Sequence, residues 1–311
     1  MPVIDEASAI NVVEAYYEKA QHALAIERPK IAIEQIQQIF RIEGETALGY
    51  YILARAFLML NQPETAKQHL VRAIQIDPEC VQAFILQAGL FEAEKKFRNA
   101  EESYLAAIRL APNYAPIHRL YSGLLLDHLK QLPLAEQHGQ TALSLDPQDE
   151  DNAVHMAWIM AEKKEWALAE HFFKQALSIN PDSFTAHHDY GLFLLKDRNA
   201  PCDAYVFLSE AIRQQPNNPQ ALTNFKLTLK AKHRWYAVVW NIGFYIQKLG
   251  PFKWPVVVST YMFMKAYMRW LYKLPEWAWL KPVVFLYVIL GVYMLLADPI
   301  FDFLIKKRIL R

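Results

Sequence analysis

Glycine is scarce in this chain, nine residues in 311, and cysteine scarcer still, at two. So few glycines leave the backbone little room to wrap a phosphate, and there is no glycine-rich phosphate loop. A CxxC pair, an HExxH helix and a GxSxG elbow are missing too, which removes the common signatures of redox, zinc-hydrolase and serine-hydrolase chemistry. No catalytic residue, cofactor or metal is therefore expected. Cys80 and Cys202 are far apart in sequence, so reduced thiols are expected rather than a bridge. The first residues, Met1 to Asn11, carry Asp5 and Glu6 and no apolar core. Nothing there reads as a signal peptide, and the N-terminal part is expected in the cytosol.

Proline, by contrast, keeps time. Pro78, Pro112, Pro147, Pro181 and Pro216 recur 34, 35, 34 and 35 residues apart, each after a stretch that reads as two amphipathic helices. At the positions 12 and 5 before each proline stand Ala66 and Ala73, Ala100 and Ala107, Ala135 and Ala142, Ala169 and Ala176, and Ala204 and Ala211. Small residues at fixed phase let neighbouring helices approach closely. Between each pair sits a larger knob, Leu70, Tyr104, Phe173 or Leu208, with Gly139 the exception. The first helix of each unit supplies facing positions of alternating size, such as Leu53, Ala54 and Phe57, or Tyr190, Gly191 and Leu194, as interdigitation requires. A further unit reads upstream, with Tyr16, Ala20, Ala32 and Ile36 in phase and Gly44 in the proline's place.

These small, aromatic, alanine and closing proline positions resemble the tetratricopeptide repeat. The resemblance implies an all-α fold: a right-handed superhelical solenoid of five to six helix-turn-helix repeats over residues 1–216, the first divergent. Long capping helices follow over 217–249, starting with a sixth first-helix through Leu222 and Phe225. It also implies that the first helices line a concave groove. At offsets two, five, nine and twelve the sequence places Leu48, Tyr51, Arg55 and Leu58, then Ile85 and Gly89, Arg119 and Gly123, Asp151, Val154 and Trp158, and His188. Tyr51, Arg55, Leu58, Ile85, Arg119, Trp158 and His188 are the candidate protein-binding residues, because exposed Tyr, Trp and Arg dominate binding energies. Tyr51 and Arg55 stand where the family's carboxylate clamp has Lys and Asn, so a chaperone's acidic C-terminus is not the expected ligand.

The near-neutral total charge conceals two halves. Residues 226–311 hold 14 Lys and Arg against 3 acids, or +11, which leaves 19 against 29, or −10, for the preceding 225. Such a basic tail suits nucleic acid or an anionic membrane. Six of the eight tryptophans also lie there, among them Trp254, Trp270, Trp277 and Trp279, along with long apolar runs. Membrane is the stronger reading, and the tail resembles hydrophobic regions that follow such repeats in some bacterial proteins. Residues 250–311 are expected to form an anchor of two hydrophobic helices, about 254–273 and 282–305. Lys265 and Arg269 share one face of the first, which suits either an interfacial helix or one arm of a hairpin with Asp298 and Asp302 as partners. Basic flanks, including Lys306, Lys307 and Arg308, favour an even number of crossings, two or none, with both ends cytosolic.

Among the histidines, His187, His188 and Asp189 with His155 one repeat earlier could hold a metal, but packing explains them more simply. The expected function is a membrane-anchored adaptor, at a bacterial inner membrane with its repeats cytoplasmic, that binds a protein partner and anionic lipid but no nucleic acid. An accessory transporter subunit and a nucleic-acid-binding protein are the alternatives.

Overall fold

The computed structural model describes residues 6–248 and 253–269, together with residues 282, 285, 296 and 299–306. Among the described residues every regular element is helical. The chain divides into two compact units, Met1–Ile159 and Met160–Arg311.

In the first unit four helical hairpins follow one another: α1 (Glu6–Ala25) with α2 (Pro29–Ile42), α3 (Ala47–Met59) with α4 (Pro63–Ile76), α5 (Val81–Ala93) with α6 (Phe97–Leu110), and α7 (Ala115–Leu124) with α8 (Leu132–Leu145). The helix α9 (Glu150–Glu162) follows. In the second unit come α10 (Trp166–Ile179), then α11 (Phe184–Lys196) with α12 (Pro201–Gln214), α13 (Pro219–Lys232) with α14 (Arg234–Lys248), and α15 (Lys253–Arg269).

The periodic prolines end the second helix of each hairpin. A residue before proline is sterically pushed out of the helical region, and Asp77, Ala111, Asp146, Asn180 and Gln215 all have φ between −128° and −139° with positive ψ. Each of these N–H groups still donates to the alanine five before the proline, from Ala73 through Ala211. All ten periodic alanines are 0 or 1% exposed, and the knobs Leu70, Tyr104, Phe173 and Leu208 are buried between them. Gly191 shows the fit from the other side, since a Cβ there would lie 2.7 Å from Leu208 Cγ.

A second ladder runs through the turns inside the hairpins. Glu27, Asn61, Lys95, Lys130, Lys164 and Asn199 all have φ between 53° and 63°, the left-handed region that normally favours glycine. The residue after Glu27, Asn61, Lys95 and Lys164 donates its N–H to a carbonyl five back, as Gln62 does to Phe57 at 2.9 Å and Lys96 to Phe91 at 2.8 Å. This closing pattern ends the first helix and reverses the chain. After Lys130 and Asn199 the bond reaches six residues back, Gln131 to Leu125 at 2.9 Å and Ala200 to Leu194 at 2.8 Å. Those two turns lie in the two 35-residue repeats. The extra residue is taken up at the end of the first helix, in one case as a π-turn over Leu125–Leu129.

Gly139, where a knob should stand, is explained within the first unit. A Cβ there would come 2.6 Å from Ile159 Cδ1 and 2.9 Å from Met156 Sδ, so two α9 side chains fill the place the knob leaves.

In the second unit the C-terminal residues return to the last hairpin. Phe301 is buried, with its ring edge-on to His233 and Tyr236 at 5.1 and 4.9 Å between centroids. Asp302 Oδ1 lies 2.8 Å from the ammonium of Lys230, whose side chain is only 9% exposed. Trp240 of α14 donates to Asn199 Oδ1 at 2.6 Å, so this helix, atypical in sequence, covers the left-handed turn of the preceding hairpin.

Candidate functional site

The candidate binding face is built from first helices, because the second helices spend their small residues on packing. In the first unit Tyr51, Ile85 and Arg119 occupy one register, 34 residues apart on α3, α5 and α7. Tyr51 and Ile85 are half-buried, and Leu58 likewise. Arg55 is exposed one turn after Tyr51, its guanidinium 5.8 Å from the ring centroid. Leu48 is 41% exposed beside them. On α5 no atom lies within 4 Å of where a Gly89 Cβ would be, so this stretch of the face is open. The first helices of this unit thus carry a guanidinium beside an aromatic ring on α3 and open helix surface at Gly89 on α5.

Arg119 is tied down instead. Its guanidinium lies 3.3 Å from Asp151 Oδ2 and 3.6 Å from Asp149 Oδ2, linking α7 to the start of α9. Val154, next in the register, is buried and contributes no surface. Trp158, four residues on, is half-buried.

Behind Arg119 lies a polar network that sequence reasoning missed. His155 Nε2 is 2.7 Å from Ser122 Oγ, and that hydroxyl donates to the Ala135 carbonyl at 2.5 Å. Ser122 must therefore accept from His155, which places a proton on Nε2. Burial, and secondly the Arg119 charge, push the His155 pKa down to about 4. Nearby, His118 Nε2 donates to the Pro112 carbonyl at 2.8 Å, and its Nδ1 then accepts from His138 Nδ1 at 3.0 Å. Burial and the neighbouring His118 hold His138 below the usual histidine range. The only sequence signal was the phase of His118, six residues after a repeat proline. His187 has that phase too and donates to Pro181 at 2.8 Å.

In the second unit His188 lies on the first helix of its hairpin. Its Nδ1 donates to Asp189 Oδ1 at 2.8 Å, its Nε2 accepts from Asn224 at 3.0 Å, and the ring stacks on Phe184. Of the four residues that could hold a metal by sequence, His155 is engaged with Ser122 and His187 with a backbone carbonyl. Among the described residues no three His, Cys, Asp or Glu side chains group as metal ligands. Cys80 and Cys202 are free thiols.

The repeat architecture has a family match. A tetratricopeptide repeat model covers residues 53–115 and 90–150. Residues 53–150 are tetratricopeptide repeats. Among curated protein sequences none matches the chain. Solved structures similar to it include PilF of Pseudomonas aeruginosa, at 16% identity and TM-score 0.55 over 69% of this chain and 97% of that one. Another is PilW, described as a widely conserved type IV pilus biogenesis factor, at 18% identity and TM-score 0.54 over 68% and 98%. The likeness is one of fold.

The expected anchor lies only partly within the described residues. The helix expected over 254–273 is α15, Lys253–Arg269, and no helix among the described residues is long and apolar enough to cross a membrane. Trp254, Lys265 and Arg269 lie on it, the last two exposed. Asp302, with Asp298 a candidate partner for Lys265 or Arg269, pairs with Lys230 of α13. Lys306 is exposed at the end of the helical stretch 299–306. Trp270, Trp277, Trp279, Asp298, Lys307 and Arg308 fall outside the described residues, as does most of the expected helix over 282–305.

Proposed function

We propose that this chain is a tetratricopeptide adaptor that takes up a peptide or helix of a partner protein on its first-helix face and is held at a membrane by its C-terminal part. The carrying observation is the exposed Arg55 near half-buried Tyr51 on α3, which also carries exposed Leu48, with half-buried Ile85 and open space over Gly89 on the next first helix, α5. Those groups offer a cation, a ring edge and aliphatic contact within two adjacent hairpins, the mixture that concentrates binding energy in protein interfaces. The face is built to bind, and no reaction is assigned to it. Service of this fold in pilus biogenesis, in the case of PilW, supports reading it here as an assembly scaffold. The basic, tryptophan-rich tail supports attachment to a bacterial inner membrane with the repeats on the cytoplasmic side. Holding the scaffold at the bilayer raises the effective concentration of membrane-bound partners, so a modest affinity suffices.

The test is affinity capture from a detergent extract with the intact chain and with Tyr51→Ala plus Arg55→Ala. Loss of one specific partner supports the proposal, and an unchanged partner set defeats it. The transporter-subunit alternative draws on Lys265, Arg269, Asp298 and Asp302; of these, Asp302 pairs with Lys230, and Asp298 lies outside the described residues.

A further inference from the structure

We propose that α15 is a docking surface for an anionic lipid bilayer and lies along the membrane surface instead of crossing it. The inference rests on the reading of the C-terminal part as the membrane-holding part, and specifies which residues meet which lipid chemistry.

Charge spacing comes first. The helix α15 has only eleven residues, Trp254 to Met264, between Lys253 and Lys265, about 17 Å at 1.5 Å per residue against a hydrocarbon core of roughly 30 Å. Its exposed side chains are nevertheless large and apolar: Val258 at 54%, Tyr261 at 60%, Met262 at 58% and Phe263 at 47%. Single exposed apolar side chains are ordinary, but four within two turns form a patch. Val258, Tyr261, Met262, Lys265 and Arg269 follow i, i+3, i+4, i+7 and i+11, which puts them on one face. The stripe is apolar in its first half and basic in its second.

Charge selects the occupant. Between residues 211 and 275 there are ten Lys and Arg and no Asp or Glu. A basic partner is repelled, and so is a second copy of the same face. A nucleic acid would attract Lys265 but leave Val258 and Met262 against a polar backbone. An anionic bilayer satisfies both halves: the apolar side chains enter the headgroup–acyl boundary, Tyr261 keeps its hydroxyl among the headgroups, and Lys265 extends along its stem to the phosphates.

The experiment is flotation of the full-length chain with phosphatidylcholine vesicles, with and without phosphatidylserine. The intact chain is expected to float preferentially with the anionic vesicles and to lose that preference in high salt. Lys265→Glu is expected to weaken anionic-vesicle partitioning roughly 30-fold, from about 1 kcal/mol for each of two charge units. Tyr261→Ala with Met262→Ala is expected to lower flotation with both vesicle types. Both variants change exposed side chains, and unchanged circular dichroism confirms their fold. Equal flotation of all forms, no dependence on phosphatidylserine, or release from vesicles by competing single-stranded DNA would overturn the proposal. The Tyr51→Ala plus Arg55→Ala chain must float normally, so loss of partner capture and loss of lipid binding are read separately.

Discussion

The buried imidazole of His155 makes a quantitative prediction about acid. Its folded pKa is about 4, depressed first by burial and then by Arg119, while an unfolded histidine titrates near its ordinary value of 6.5. Below 6.5 the unfolded chain therefore takes up a proton that the folded chain refuses, so stability falls with pH until the folded pKa is reached. At 1.36 kcal/mol per pH unit, the loss between pH 6.5 and about pH 5 is about 2 kcal/mol from this residue. Lowered His69 and His138 and the carboxylates contribute to the total pH dependence as well, so a difference measurement is needed. In His155→Gln the side-chain amide can still donate to Ser122 Oγ but cannot titrate. Urea denaturation followed by tryptophan fluorescence, at about pH 7.5 and about pH 5, should show the stability advantage of the natural chain over the variant shrinking by about 2 kcal/mol. Parallel losses in the two proteins would refute the reasoning.

Other outcomes follow from the packing. Gly139→Leu, which restores the knob of the other repeats, should destabilise by about 1–3 kcal/mol in chemical denaturation, because Ile159 and Met156 already occupy its space. Lys95→Gly and Lys164→Gly should each stabilise by up to about 1 kcal/mol in the same assay, since both residues sit at positive φ. Asp302→Asn removes a charged partner from nearly buried Lys230, so hydrogen exchange over 299–306 should accelerate, corresponding to about 1–3 kcal/mol of local stability.

The hairpin architecture was legible because its determinants are periodic. Each proline forces the residue before it out of the helix, and each alanine pair admits a neighbouring helix, so ten small residues in phase encode the packing directly. The exceptions were legible only as exceptions. Gly139 needed the positions of Ile159 and Met156, and the 35-residue repeats needed the six-residue closure at Gln131 and Ala200. Side-chain networks have no period and left almost no trace: nothing in the spacing of Arg119, Ser122 and His155 announces that a carboxylate pair restrains the arginine while a serine fixes the imidazole. The candidate face was legible as a register of first-helix positions, but a register does not say which members stay open. Arg55 does and Val154 does not. In the tail, composition marked Asp302 as a break in an apolar run, and nothing in the sequence named its partner, a lysine 72 residues earlier.

Partner capture by the first-helix face remains the central claim, and the most direct measurement is the affinity of a captured partner segment for the intact chain against Tyr51→Ala plus Arg55→Ala, by calorimetry. Truncating two such anchors is expected to weaken binding by at least about 2 kcal/mol, or roughly 30-fold, with the fold unchanged. Equal affinity in the two proteins would contradict the account.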